Sequence, residues 1–185
     1  PVLVHPVAMA TGGAHACAID DAGVSCWGDD FYGQTSTVPA MVNPVAIDAG
    51  ADHTCALDSS GVHCWGFSGN GATTVPALSN PIAINAGNYF SCALDDTGMH
   101  CWGSNVYGQT TVPALVNPVA MSAGYYHVCA LDDNGVNCWG DNYEGQSTVP
   151  SLTNPVAISA GWYHTCALDD NGVHCWGKND DGQTT

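Results

Sequence analysis

The chain has 185 residues, enough for one substantial core, and its 45% hydrophobic and 10% charged residues are a composition that folds. Lys178 is the only lysine or arginine against 17 acidic residues, for a formal net charge of -16 with the histidines neutral. Nucleic acids and anionic membranes are bound through lysine and arginine, so this composition argues against both as partners. No apolar run approaches the roughly 18 residues of a membrane-spanning helix. The acidic surface is expected to be solvated, with cation binding or a basic partner as the alternatives.

A repeat of about 37 residues runs through the whole chain. The first cysteines of successive units are 38, 37, 37 and 37 positions apart, and each is followed by a second cysteine nine positions later. We therefore interpret the chain as one domain of five units, at residues 1–37, 38–75, 76–112, 113–149 and 150–185. Repetition of this regularity indicates equivalent structural units that pack against one another.

Three short runs in each unit are typical of β-strands. In the fifth unit they are 155–160 (P-V-A-I-S-A), 164–168 (H-T-C-A-L) and 172–176 (G-V-H-C-W). Gly, Pro, Asn and Asp recur every few residues and leave no room for a helix. The Thr-rich segment between units, such as 109–112, is a candidate fourth, outer strand. The alternative is that its hydroxyl groups carry O-linked sugar. Short, evenly spaced strands predict an all-β propeller with one small antiparallel blade per unit.

Counting across the turn at 169–172 gives the register of the second and third strands. Cys166 then lies directly opposite Cys175, where a cross-strand disulfide can form. Trp176 lies opposite Thr165 on the other face of the hairpin. Because both faces hold bulky or apolar groups, both should be buried, as expected for the middle of a blade between two neighbouring blades.

The same count applies to every unit and predicts five local disulfides. The predicted pairs are Cys17–Cys26, Cys55–Cys64, Cys92–Cys101, Cys129–Cys138 and Cys166–Cys175. A non-local pairing would break the equivalence of the units. Disulfides persist in oxidising compartments, so the chain is expected to be secreted or at the cell surface.

The phrase A-G-x-x-H-T-C-A-L-D-x-x-G-x-x-C-W-G-x-N-x-x-G-Q, at 160–183, resembles the regulator of chromosome condensation repeat. The resemblance covers all five units and implies a β-propeller of consecutive blades. Relatives include a nuclear exchange factor and a secreted bacterial β-lactamase inhibitor, which both present loops to a protein partner. The acidic charge and the cysteine pairs argue against the chromatin role. The family's propellers have seven blades, so five units imply either a closed five-bladed ring, which we favour, or part of a longer array.

Histidines recur at two positions of the repeat and raise the question of a metal site. One set lies two residues before the first cysteine and the other lies directly before the second. These residues are His15, His53, His127, His164, His63, His100 and His174. Phe90, Ser25 and Asn137 interrupt the two sets, and the cysteines are needed for disulfides. We therefore expect structural histidines and no metal or other cofactor.

Acidic pairs in the hairpin turns, such as Asp20–Asp21 and Asp95–Asp96, suggest calcium as an alternative. Asp, Asn and Gly are also the residues that a tight turn requires, and no segment matches a known calcium loop. The turn interpretation is therefore preferred.

Two loops per unit vary in sequence and are rich in aromatic residues. One follows Ala-Gly and the other follows Trp-Gly. The candidate partner-binding residues are Phe31, Tyr32, Phe67, Tyr89, Tyr107, Tyr125, Tyr126, Tyr143, Trp162 and Tyr163. Exposed tyrosine and tryptophan are typical of protein hot spots and of sugar-stacking platforms, while the alternative is that these rings fill gaps between blades.

No catalytic motif is present, and near-identical units supply the same groups five times rather than the unlike groups that catalysis needs. We therefore predict a non-enzymatic extracellular interaction or structural module that binds a protein or its own copies. The alternatives are a multivalent glycan-binding lectin and a propeller-type inhibitor of a secreted enzyme. Glycan binding and inhibition would use the same loops.

Overall fold

The computed structural model describes all 185 residues and contains fifteen strands in five antiparallel three-stranded sheets, which we call blades. The strands are β1 (Ala8–Thr11), β2 (His15–Asp20), β3 (Gly23–Gly28), β4 (Ala46–Ala49), β5 (His53–Asp58), β6 (Gly61–Gly66), β7 (Ala83–Ala86), β8 (Phe90–Asp95), β9 (Gly98–Gly103), β10 (Ala120–Ala123), β11 (His127–Asp132), β12 (Gly135–Gly140), β13 (Ala157–Ala160), β14 (His164–Asp169) and β15 (Gly172–Gly177). Each blade takes three consecutive strands in chain order. The predicted all-β fold with one blade per repeat is therefore confirmed.

The blades belong to two compact units. Pro1–Ser104 contains the first three blades, and Asn105–Thr185 contains the fourth and fifth. A three-residue 3₁₀ turn at Gly69–Gly71 is the one helical element. The structure has no helix with the length and hydropathy needed to cross a membrane.

The predicted hairpin register is confirmed in every blade. In the fifth blade, Cys166 lies opposite Cys175 and Thr165 lies opposite Trp176. All ten cysteines form the five predicted disulfides, each within its own hairpin. Each disulfide therefore joins the middle and third strands of one blade.

The candidate fourth strand is wrong, because the Gln-Thr-Thr-Val segment forms a turn and joins no sheet. Gln34 shows the reason. Its side-chain oxygen accepts the backbone N–H of Tyr32 at 2.8 Å, and its main-chain carbonyl accepts the indole N–H of Trp65 at 2.9 Å. The polar groups that a fourth strand would need for a ladder are thus bonded to the turn and to the next blade.

The core of the first unit lies between adjacent blades. Every residue of β5 and β8 is buried. Leu57 of the second blade packs in one cluster with Ile84 and Trp102 of the third. Ile19 of the first blade likewise shares a cluster with Trp65 of the second. The tryptophan fills the space between blades, as the sequence predicts.

A buried chain of hydrogen bonds also joins adjacent blades. His53 Nε2 in the second blade lies 2.9 Å from the hydroxyl of Ser91 in the third. That hydroxyl donates to the carbonyl of Ala72 at 2.9 Å, and the same carbonyl accepts the indole N–H of Trp102 at 2.9 Å. Because the hydroxyl proton goes to the carbonyl, His53 must carry its own proton on Nε2. The imidazole is therefore the donor in this hydrogen bond.

The second unit repeats this arrangement. His127 Nε2 lies 2.8 Å from the hydroxyl of Thr165, which donates to the carbonyl of Gln146 at 3.0 Å. Trp176 donates to the same carbonyl at 2.9 Å. Two blade interfaces in different units thus use the same bonds, which supports a structural role for these histidines.

Gly50 explains the spacing of the Ala-Gly-x-x-His motif. A Cβ on Gly50 would lie 2.5 Å from Cε1 of His53, so the imidazole needs the missing side chain. Burial and the nearby His15 lower the pKa of His53 to about 4. Burial likewise lowers the pKa of His127 to about 4. Both rings therefore stay neutral in mildly acidic solution.

We expect the loss of one disulfide to weaken the fold without changing it. The paired substitution Cys92→Ala with Cys101→Ala should lower the free energy of unfolding by about 2–3 kcal/mol, because it removes a short cross-link from the unfolded chain. Urea denaturation of the unreduced protein measures this. Wild-type protein should take up an alkylating reagent only after reduction, and labelling of the native, unreduced protein would contradict the five disulfides.

We also expect acid to destabilise the fold through the buried histidines. The pKa of His53 is 6.5 in a model peptide and about 4 here, so the unfolded chain binds a proton that the folded chain does not. The contribution of His53 is complete above pH 6.5 and declines as the pH falls toward 4. Over that window the loss in the free energy of unfolding amounts to about 3 kcal/mol. Denaturation at each pH measures the decline.

The third and fourth repeats supply a matched variant for this experiment. They have Phe90 at the histidine position and Val128 at the hydroxyl position, and both are fully buried. His53→Phe combined with Ser91→Val copies these residues. The double variant should lose about 3 kcal/mol less of its free energy of unfolding in acid than wild type does. An unchanged pH dependence in the double variant would contradict the assignment.

Candidate functional site

The variable loops of each blade lie at the same end of its sheet. Because the strands are antiparallel, the end of the first strand, the start of the second and the end of the third share one end. We call it the loop end. The Asp-x-x-Gly hairpin turn lies at the opposite end, which we call the turn end. The candidate aromatic residues are all in loop-end segments.

Four aromatic rings of the first unit form a continuous row, which we call the first aromatic cluster. The ring centroids of Phe31 and Tyr32 are 4.8 Å apart, those of Tyr32 and Phe67 are 4.8 Å apart, and those of Phe67 and Tyr89 are 4.9 Å apart. Phe31 is 81% exposed and Tyr32 is 43% exposed. The row therefore joins loops of all three blades and presents a solvent-accessible apolar surface.

Five rings of the second unit form the second aromatic cluster. Tyr125 lies at its centre, with ring centroids 4.6 Å from Tyr126, 5.4 Å from Trp162 and 5.6 Å from Tyr163. Tyr107 extends the cluster at 4.8 Å from Tyr126. Trp162 is 65% exposed and forms the most exposed part of the cluster.

Nine of the ten candidate residues thus lie in the two clusters, and Tyr143 stands apart from both. Tyr143 is 90% exposed at the tip of its loop. The spacing of the repeat alone did not indicate that rings from different blades would meet, because their approach depends on the distance between loops.

Main-chain hydrogen bonds hold the two loops of a blade together. The N–H of Phe67 donates to the carbonyl of Asp52 at 2.9 Å, and the N–H of Lys178 donates to the carbonyl of Tyr163 at 2.9 Å. Gly66 makes this approach possible, since its φ is 94° and a Cβ there would lie 2.7 Å from the Asp52 carbonyl. The aromatic side chains therefore project from loops whose backbone is fixed.

A buried glutamine fixes the tip of the second loop, a role that sequence reasoning missed. Gln146 accepts the N–H of Glu144 at 2.9 Å and donates to Asp141 at 2.9 Å. Gln34 bonds to its own loop in the same way, through Tyr32 and Asp29. The signal in the sequence is the Gly-Gln that recurs in four of the five repeats, with Gly71-Ala72 in the second.

Acidic side chains surround the aromatic residues at the loop end. In the first unit they are Asp29, Asp30 and Asp52, and in the second they are Asp141, Glu144, Asp180 and Asp181. Hydrogen bonds from the side chain of Ser36 and from Thr35 lower the pKa of Asp30 to about 2. Lys178 lies 3.2 Å from the Asp180 carboxylate, with its ammonium 5.9 Å from the centre of the Tyr163 ring.

The carboxylates of the turn end are used by the backbone. Asp58 accepts the N–H of Val42 at 2.7 Å and that of Ser60 at 2.7 Å, and it lies 3.1 Å from His63. Burial raises the pKa of Asp58, but bonds from Ser60, Val42 and His63 outweigh burial and hold it well below the usual range. The other first-position turn aspartates accept equivalent backbone bonds. This geometry supports the turn interpretation rather than the calcium alternative.

Three solved structures are similar to this chain. The ectodomain of the receptor kinase CR4 from Physcomitrella patens is 28% identical, with a TM-score of 0.81 over 98% of this chain and 54% of that one. The CRINKLY WD40 ectodomain of the receptor kinase ACR4 from Arabidopsis thaliana is 22% identical, with a TM-score of 0.74 over 96% of this chain and 66% of that one. Human WBSCR16 is 16% identical, with a TM-score of 0.84 over 97% of this chain and 63% of that one.

The chain spans about half the length of the CR4 ectodomain. The two structures with lower identity support the fold alone. A comparison with curated protein sequences finds no match. The family model for the regulator of chromosome condensation (RCC1) repeat matches residues 45–72, 82–109, 119–146 and 156–183, which together are more than half of the chain. The chain therefore belongs to the RCC1 repeat family.

Proposed function

We propose that the chain is a non-enzymatic extracellular recognition module that binds a protein partner through its aromatic clusters. The observation that carries this proposal is the meeting of nine loop-end rings in two partly exposed clusters. Tyrosine and tryptophan supply large contact areas at a low cost in conformational entropy, which is why they dominate protein hot spots.

The exposure of the rings favours binding over the filling of gaps between blades. Phe31 is 81% exposed and Trp162 is 65% exposed, whereas the interblade tryptophans Trp65 and Trp102 are at most 9% exposed. Trp65 and Trp102 already fill the space between blades. The loop-end rings therefore retain free surface that a partner can bury.

The cysteine chemistry and one similar structure support an extracellular location. Five disulfides and no free thiol are typical of a protein that folds in an oxidising compartment. The CR4 structure, at 28% identity, is also that of an ectodomain.

A heterologous partner is favoured over self-association. Each copy has a formal charge of -16, so two acidic surfaces brought together would repel one another. The absence of catalytic activity is also part of the proposal. The buried turn aspartates bind backbone amides, and the buried histidines bind hydroxyl groups in neighbouring blades, so these titratable groups already have structural partners.

The test begins with a screen of the unreduced chain against a panel of purified extracellular protein domains. Each protein that binds is then titrated by calorimetry with wild type and with two matched variants. Trp162→Ala removes a ring that is 65% exposed at the loop end, and Val156→Ala truncates a side chain that is 65% exposed near the turn end. We expect Trp162→Ala to weaken binding about tenfold or more and Val156→Ala to change it less than about twofold.

Other outcomes would overturn this proposal. Binding to glycans alone, lost in Trp162→Ala, would identify a lectin. Self-assembly in light scattering that is lost in the same variant would identify a structural subunit. A protein partner that is unaffected by both Trp162→Ala and Phe31→Ala would place the binding surface elsewhere.

A further inference from the structure

Resting on the proposed function, we propose that the second aromatic cluster recognises arginine or lysine side chains of its protein partner. The recognition would combine the aromatic faces with the carboxylates beside them. Cations are attracted to the faces of tryptophan and tyrosine rings, and the attraction is larger where neighbouring carboxylates add an ion pair.

The chain itself contains an example of this contact. Lys178 is its only lysine or arginine, and that side chain lies at the loop end with its ammonium 5.9 Å from the centre of the Tyr163 ring. It also lies 3.2 Å from Asp180. The single intramolecular cation is therefore held by one ring and one carboxylate of the surface that we assign to the partner.

More acidic groups surround this position than one lysine can neutralise. The hydrogen bond to Asp180 and the charges of Asp180, Glu144 and Asp181 raise the pKa of Lys178. Glu144, Asp180 and Asp181 are all exposed. A partner cation that entered beside Trp162 or Tyr125 would meet the same negative potential. Lys178 is the only lysine or arginine of this chain that could repel it.

The aromatic cluster distinguishes this surface from the rest of an acidic molecule. At the turn end, Asp133 and Asp170 bind the amide groups of Asn117 and Asn154 at 2.6 and 2.7 Å, and no aromatic ring is nearby in sequence. Acidic groups alone would attract any cation weakly. Rings and carboxylates together favour a cationic side chain that can stack and form a directed ion pair.

The experiment uses a fluorescent peptide with four arginines spaced by Gly-Ser, and a control peptide in which neutral citrulline replaces each arginine. Binding to the full, unreduced chain is followed by anisotropy at about 50 mM and about 300 mM salt, because added salt screens ion pairs. We expect the arginine peptide to bind at least roughly tenfold more tightly than the citrulline peptide at low salt.

Four variants test the site. Trp162→Ala and Glu144→Gln should each weaken arginine-peptide binding about fivefold, because they remove a ring and a carboxylate of the site. Asp170→Asn makes the same charge change as Glu144→Gln but at the turn end, and it should change binding less than about twofold. Lys178→Gln should strengthen binding about threefold, because it removes the competing cation and exposes Tyr163.

Equal effects of Glu144→Gln and Asp170→Asn would overturn the site, since they would indicate attraction by net charge alone. Unchanged binding in both Trp162→Ala and Lys178→Gln would also overturn it. The proposed function fails separately. A natural partner could require Trp162 yet bind with an affinity that does not depend on salt. That result would support the proposed function and contradict the proposal that the partner is recognised through arginine or lysine.

Discussion

The hydroxyl group of Ser91, and its counterpart on Thr165, is the point on which the packing of one blade against the next depends. It accepts a hydrogen bond from the histidine of the preceding blade and donates one to a carbonyl that also accepts a hydrogen bond from the indole N–H of its own blade. Each of these groups is buried, so a blade shifted along its neighbour would leave several polar atoms without partners, and each would cost free energy. Apolar packing between blades is tolerant of small shifts, and the hydrogen bonds are not. They therefore fix the alignment of adjacent blades.

That alignment determines where the loops lie. The glutamine or alanine whose carbonyl enters the interblade bonds also ends the loop that follows Trp-Gly, so the packing bonds and the loop share a residue. The histidine likewise ends the loop that follows Ala-Gly. Both variable loops are thus anchored at the blade interface, and Phe67 or Lys178 can differ in side chain while keeping the same main-chain bond. The chemistry of the loop tips is consequently separable from the stability of the frame.

The sequence was sufficient to predict features that depend on distances along the chain. The pairing of Cys166 with Cys175 follows from counting residues across a two-residue turn, and the blade architecture follows from repetition. The absent fourth strand was not predictable from β-branched composition, because the outcome depends on bonds from Gln34 to the turn and to Trp65. Similarly, each repeat predicts only the rings of its own loops, but the contact of Tyr125 with Trp162 joins two blades. Distances between blades are properties of packing that no single repeat contains.

The internal repetition helps to separate structure from recognition. Where a position is structural, the repeats keep the residue: both cysteines of the hairpin and the Trp-Gly that follows the second one recur in all five. The loop tips follow no such rule: Phe31, Val106, Tyr143 and Asp180 occupy nearby positions without a common size or polarity. A frame that required these side chains could not accept all of them. The exposed rings are therefore free to serve recognition, and under our proposal the aromatic groups and the carboxylates beside them are complemented by a cationic protein surface.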